Sequence, residues 1–375
     1  MKALYPESSE ERAKRSADLA KRMARAGEAQ VESASQPKMP PVADLATSMA
    51  ARMGAAAPHL NPDVVAGDAS ALATLGHTTA VRLAHDQLRY EDLSEREVSS
   101  LEAVISVIDR PAWFVEDNFP DTTSFATSGL WIALATAAEN KMVDVCRAVG
   151  CILLELDGVR EPIGTGWLIG PRTLVTNAHV GVLLARWKPD APTDDPRRGY
   201  RLRRDVKGVV NFFFEHADRP PSDVDVSEVL FVEPSQEPDI AVFRLADAPV
   251  LADRKVITLD LDVRTHWANT NVFTVGHPIS DLQDDPNVDT VFGPLDGTKR
   301  LSPGKVNQVL GGNVLAHDCS TTNGSSGSPL IDFGSYKAVA LHYFGKPGER
   351  NEAVLFTAIN NHTVIVKTLA QEWGV

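Results

Sequence analysis

Cysteine is scarce, with three residues in 375: Cys146, Cys151 and Cys319. So small and odd a number excludes a disulfide framework and points to reducing surroundings. Cys146 and Cys151 are too far apart for a Cys-x-x-Cys pair and have no histidine beside them, so no metal site is indicated. Long apolar runs are missing as well. The opening "MKALYPESSEERAKRSADLAKRM" has no signal-peptide core, and no later stretch has the length to span a bilayer. A soluble, cytoplasmic protein without membrane contact is expected. Basic residues are outnumbered, 37 Lys and Arg against 50 Asp and Glu, for a net charge of -13. Nucleic acid is therefore a poor partner, because phosphate contacts need clustered Lys and Arg. One basic run, "RRGYRLRR" from Arg197 to Arg204, departs from this and reads as a solvated loop between strands. No internal repeat is found.

What is present is globular composition, 43% hydrophobic and 23% charged, with room for about two domains. Two textures meet near residue 147. Before it, Ala, Glu, Arg and Leu recur at helical spacing. "SSEERAKRSADLAKRMARAGEAQ" has acidic residues early and basic ones late, as a capped amphipathic helix requires. "SEREVSSLEAVISVID" offers a capping box, Ser94 to Glu97, and an apolar face of Val98, Leu101, Val104, Ile105 and Ile108. "RPAWFVEDNFPD" breaks that helix, and "SGLWIALATAAENKMVDVC" resumes the pattern. After residue 147 come strand-length runs such as "GCILLEL", "GTGWLIG", "VVNFFF", "DIAVFRL", "NVFTVGH" and "KAVALHYFG", with turn residues between them. No helices alternate with these strands, so an all-β sandwich or barrel is expected, and the length suits a pair of small barrels. The fold class is thus α+β by segments. An all-α region spans 1–146, with a flexible linker near 35–43, and an all-β double barrel spans 147–375, closed by a helix in "HTVIVKTLAQEWGV".

The chemistry concentrates in three places. A serine hydroxyl is a poor nucleophile at neutral pH; it needs an imidazole to take its proton and a carboxylate to orient that imidazole. Two inward backbone N–H groups must also meet the oxyanion that forms. "TLVTNAHVG" places His179 just after a strand. "EPDIAVFRL" places Asp239 at the mouth of an apolar strand. "NGSSGSP" places Ser326 two residues after Gly324, whose N–H can lie beside that of Ser326. The order along the chain is His, Asp, Ser.

With these residues the sequence resembles a trypsin-like serine peptidase of the chymotrypsin fold, over roughly residues 148–370. "GTGWLIGPRTLVTNAHV" is similar to the histidine signature of the first barrel, "PDIAVFRL" to the aspartate segment, and "VALHYFG" to the strand lining the specificity pocket. "NGSSGSP" resembles the nucleophile loop in the version seen in glutamyl endopeptidases and bacterial intracellular trypsin-like domains. The resemblance implies a serine endopeptidase acting on protein or peptide substrates through His179, Asp239 and Ser326, with the Gly324 and Ser326 amides as oxyanion hole and no cofactor. It also implies pocket roles for Ser320, Thr321 and His342. Thr321 and His342 match positions that hold an acidic side chain in glutamyl endopeptidases, whereas a purely packing role for His342 implies cleavage after an apolar residue. Neutral Ser320 argues against a preference for Arg or Lys. His277 and His317 read as structural, and Cys319 as a small buried thiol. Ser325 stands where zymogen-forming relatives carry an aspartate that pairs with a freshly cut N-terminus, so that switch is not expected. Regulation is then expected from the helical region, acted on by a partner protein. An alternative is a catalytically silent or gated scaffold that binds partner peptides. An α/β-hydrolase is excluded, because Ser328 stands where its second glycine belongs and the His and Asp precede the serine.

Overall fold

The computed structural model describes residues 41–56, 60–89, 92–94, 96–98, 100–101, 103–104, 111–123, 129–188, 199–215, 223–233, 237–264, 266–267, 269–279, 292, 294–311, 313–345 and 351–361. The helices expected over 8–30 and 362–375 lie outside these residues. So does the linker expected near 35–43 up to Pro40, and Val42 already opens a helix.

Helices α1 (Val42–Ala56) and α2 (Pro62–Ala84) pack through Leu45 and Met49 against Ala69, Ala73, Ala80 and Leu83. Asn61 caps α2 by accepting the Asp63 N–H at 2.9 Å, and Pro62 supplies the preset first turn. Small residues let the next helical stretch close in: a Cβ on Gly76 would stand 2.4 Å from the Ser100 carbonyl oxygen. That stretch begins with the expected capping box. The Ser94 N–H and hydroxyl donate to one Glu97 carboxylate oxygen at 2.9 and 2.7 Å, and the Glu97 N–H returns to Ser94 Oγ at 3.3 Å. Leu101 and Val104 complete an apolar cluster that is separate from the main core.

The packing divides the chain earlier than its change of texture at 147. The segment expected only to break a helix forms a hairpin of β1 (Trp113–Glu116) and β2 (Phe119–Pro120). Helix α3 (Gly129–Ala148) then buries Trp131, Ala135, Ala138, Met142 and Val145, a stripe at three- and four-residue spacing, in the main core. It runs without a break into the first barrel.

That barrel is closed, in the order β10-β5-β4-β3-β8-β9. Its strands are β3 (Val149–Leu156), β4 (Val159–Gly170), β5 (Thr173–Thr176), β8 (Lys207–Asn211), β9 (Asp223–Val232) and β10 (Ala241–Leu245). Between β5 and β8 lie the short helix α4 (Ala178–Leu184) and a two-stranded ribbon of β6 (Ala185–Trp187) and β7 (Tyr200–Leu202). Part of the basic run is thus a strand. The second barrel contains β11 (Asn271–Gly276), β12 (Arg300–Val309), β13 (Val314–His317), β14 (Pro329–Asp332), β15 (Ala338–Gly345) and β16 (Asn351–Leu355). Its order is β11-β14-β15-β16-β13-β12, and β11 pairing with β12 closes the ring. Strand β1 adds to this barrel from outside, with Trp113 opposite Leu301 and Phe114 opposite Arg300. The expected double barrel is present, and the helical region lends one strand to it. Among the described residues no helix is long and apolar enough to cross a membrane.

Candidate active site

Strand pairing explains why His179 and Asp239 meet. Strands β5 and β10 are antiparallel, with Thr176 opposite Ala241, so the end of one lies beside the start of the other. His179 follows β5 at the start of α4, and Asp239 precedes β10. Asp239 is 6% exposed, and its carboxylate accepts twice from the same residue. The His179 backbone N–H donates at 3.0 Å and its Nδ1 at 2.6 Å. With the proton on Nδ1, the other ring nitrogen, Nε2, carries the lone pair. Asn177 fixes the carboxylate's own backbone by donating Nδ2–H to the Asp239 carbonyl at 2.9 Å. The His179 side chain is 38% exposed, so the ring is tethered through Nδ1 while part of it stays accessible.

Ser326 arrives from the second barrel, half-buried on the loop before β14. Two threonines of the first barrel hold that loop. The Thr165 N–H donates to the Ser326 carbonyl at 2.9 Å, and its hydroxyl donates to the Gly324 carbonyl at 2.8 Å. Thr176 secures Thr165 in turn, its hydroxyl donating to the Thr165 carbonyl at 2.7 Å. The glycines are required by space and by backbone. Gly327 has φ +90° and a Cβ there would lie 2.1 Å from the Thr165 oxygen; Gly324 has φ +78° and its Cβ would lie 2.3 Å from the His277 oxygen.

The same loop aims two amides. A trans peptide points its N–H opposite to its C=O. The Asn323 carbonyl is pinned by the Ile279 N–H at 2.8 Å, and the Ser325 carbonyl by the Ser328 N–H at 3.0 Å. The N–H groups of Gly324 and Ser326 are therefore turned the other way, and no acceptor among the described residues takes either. Their neighbours are occupied: the Ser325 N–H goes to the Thr322 carbonyl and the Gly327 N–H to the His342 carbonyl.

Of the three pocket candidates, the structure brings Thr321 and His342 together. A Cβ on Gly345 would lie 3.0 Å from Thr321 Oγ1 and 3.4 Å from His342 Cε1, so glycine keeps the space between them open. Thr321 Oγ1 is buried and has no hydrogen-bond partner among the described residues. His342 is held by His317, with Nε2 of the latter 3.1 Å from Nδ1 of the former. Burial, reinforced by the nearby His179, pushes the His342 imidazole down to about 3. Burial also pushes His317 well below its usual range, with His342 adding to the effect. Both rings are thus neutral near pH 7. Ser320 lines a small cavity shared with Ser325, Ser328 and Thr274.

In sum, His179 and Asp239 are joined by hydrogen bonds, and Ser326 is delivered by a separate loop tied to the same barrel. Sequence reasoning overlooked Thr165 and Thr176, although "GTGW" carried a hint: a lone hydroxyl between two glycines on a buried strand. It also overlooked the pairing of His317 with His342. All three cysteines are buried free thiols, and burial pushes the Cys146 thiol up to about 12. Among the described residues no cluster of His, Cys, Asp and Glu could hold a metal ion.

Residues 164–341 match the family model described as the trypsin-like peptidase domain. Among solved structures the chain is similar to a Glu endopeptidase in complex with MPD, at 19% identity and a TM-score of 0.41, covering 60% of this chain and 91% of that one. It is also similar to the Rv3671c protease from M. tuberculosis in its active form, at 16% identity and a TM-score of 0.39, covering 60% and 83%. No curated protein matches the chain.

Proposed function

From the match of residues 164–341 to the trypsin-like peptidase domain we propose that this chain is a trypsin-like serine endopeptidase working through an acyl-enzyme. Ser326 Oγ attacks the peptide carbonyl while its proton passes to His179 Nε2. The proton then goes to the departing amine as the C–N bond breaks, leaving an ester on Ser326. Water, deprotonated by the same nitrogen, attacks that ester and releases the acid, and the proton returns to Ser326. Asp239 holds the ring in the tautomer that leaves Nε2 free, and offsets the charge that develops on it. The Gly324 and Ser326 amides receive the oxyanion, a contribution typically worth about 10²–10³ in rate per donor. What carries the reading is the 2.6 Å bond between His179 Nδ1 and Asp239 Oδ2, because it makes an exposed imidazole into a directed base.

For the residue before the cut, Thr321 separates the two readings of the pocket. An acidic side chain would give its orphaned hydroxyl an acceptor, and an apolar one would leave the hydroxyl buried and unpaired at a cost of about 1–3 kcal/mol. Cleavage after Glu or Asp is therefore favoured, with a proton drawn onto His342 as the carboxylate arrives. Regulation through the helical region, by a partner protein in a reducing compartment, belongs to the same proposal. It is supported by Ser325 standing where a zymogen-type carboxylate would be needed.

A fluorophosphonate probe tests the nucleophile. The wild-type chain should label at Ser326, and Ser326→Ala should not label at all; labelling at another serine overturns the assignment. Cleavage profiling of a peptide library tests the pocket, and enrichment of Phe, Leu or Ala before the cut removes the acidic reading.

A further inference from the structure

A fully buried lysine remains that the mechanism does not use. Lys299 stands at the start of β12 with its side chain wholly out of solvent. Its ammonium finds three acceptors: the Phe212 carbonyl at 2.8 Å, the Cys146 carbonyl at 2.9 Å and Glu215 Oε1 at 3.2 Å. These come from the end of the first barrel's β8, from the last turn of α3, and from the loop that follows β8. Glu215 is equally buried, and its other oxygen accepts the Asn118 N–H of the β1–β2 hairpin at 3.1 Å. The backbone of Lys299 closes the knot, donating to the Phe214 carbonyl at 2.8 Å and accepting the Val115 N–H at 3.3 Å. One ion pair thus joins both barrels, the hairpin and α3. A buried pair is weak evidence for stability, because desolvation offsets the attraction, so a different role is worth seeking.

The connection to the catalytic loop is short. Two residues before Lys299, the Gly297 carbonyl accepts from His277 Nδ1 at 2.8 Å. The His277 N–H donates to Thr165 Oγ1 at 3.0 Å, the same hydroxyl that holds the Gly324 carbonyl. The His277 carbonyl oxygen lies against Gly324, at the spot a side chain would occupy, and two residues on the Ile279 N–H pins the Asn323 carbonyl. The Ile279 pin on Asn323 and the His277 bond to Thr165 both belong to the stretch His277–Ile279, which His277 Nδ1 ties to Gly297, two residues before Lys299.

We propose that Lys299, Glu215 and His277 are positioning residues for the Gly324 amide, and that through them the 113–148 segment is a working part of the peptidase. The segment lies ahead of the matched family region, yet it supplies two of the groups that this cluster satisfies, Asn118 N–H and Cys146 C=O. It does from within the chain what an inserted N-terminus does in a zymogen: it satisfies a buried charge behind the oxyanion loop. A partner that pulls on α3 or on the hairpin can thereby lower turnover without touching the cleft. The inference rests on the reading of Ser326 as nucleophile.

The test uses the full chain and begins with fluorophosphonate labelling of the wild type at Ser326; absence of labelling sinks the parent reading, not this one alone. In a labelled background, His277→Leu removes the donor to Gly297, whereas His277→Asn keeps a donor near the Nδ1 position. We expect His277→Leu to lose about 10²-fold in kcat and in labelling rate with KM within about twofold, and His277→Asn to recover most of it. The double variant Lys299→Met/Glu215→Gln, which removes both members of the pair together, should show the same kcat loss while still unfolding cooperatively. Wild-type kcat in folded His277→Leu, or KM and kcat falling together with no rescue by Asn, overturns the proposal.

Discussion

The two barrels use the same side chain in opposite ways. Among the described residues the first contributes one imidazole, His179, which is 38% exposed and tethered to a carboxylate. The second buries three, His277, His317 and His342, with a carbonyl or another imidazole at the hydrogen-bonded nitrogen. Burial then decides their state: each is pushed down and stays neutral. The lesson is that a histidine gains a proton-transfer role from a carboxylate and access to the cleft. Burial alone turns it into a fixed dipole that shapes a wall or a loop.

The sharpest way to break this contrast is to remove the reacting pair. Ser326→Ala or His179→Ala should each cost about 10⁶ in kcat, with unfolding temperature nearly unchanged because both side chains are only part-buried. Steady-state hydrolysis together with calorimetry checks both halves of that expectation. Asp239→Asn should cost on the order of 10⁴, since an amide no longer enforces the tautomer that leaves Nε2 free. Residual activity within tenfold of wild type would mean that His179 is oriented by something else. Gly324→Ala comes next, at about 10²–10³ in kcat. Its Cβ would require φ +78° and a contact of 2.3 Å with the His277 oxygen, so the loop must shift.

The smallest effect concerns acid. A histidine held below its ordinary 6.5 while folded binds more protons when unfolded, so stability is full above about 6.5 and falls as pH drops toward the folded value, about 3 for His342. Each such residue adds up to about 1.4 kcal/mol per pH unit in that window. Urea midpoints should therefore fall between pH 7 and 5, and the double variant His317→Leu/His342→Leu should flatten the slope. An equal slope in the variant would show that these two rings are not the acid-sensitive groups.

Legibility followed locality. His179, Asp239 and Ser326 stood out because each sits in a short context with its own physical signature: a strand end, a carboxylate at the mouth of an apolar strand, a cluster of glycines and serines. The capping box at Ser94 and Glu97 was legible for the same reason, as both partners lie within four residues. Strand β12 was not. "RLSPGKVNQV" contains Pro303 and Gly304, and its burial is imposed by β11 and β13 on either side rather than by its own alternation. The hairpin at Trp113 was likewise read only as a break, since nothing near it in sequence reveals that its partner is Leu301.

From the residues alone came the chemical inventory and its order, an imidazole, a carboxylate and a hydroxyl among glycines, together with two textures that separate helices from barrels. Those properties are set by composition and by neighbours a few positions apart. Only the folded chain decided that the 113–148 segment packs with the barrels and that Lys299 is buried where that segment meets both of them. That ammonium's acceptors lie 84, 87 and 153 residues away, and the cost of burying a charge has no local signature: it exists only once water has been excluded from around it.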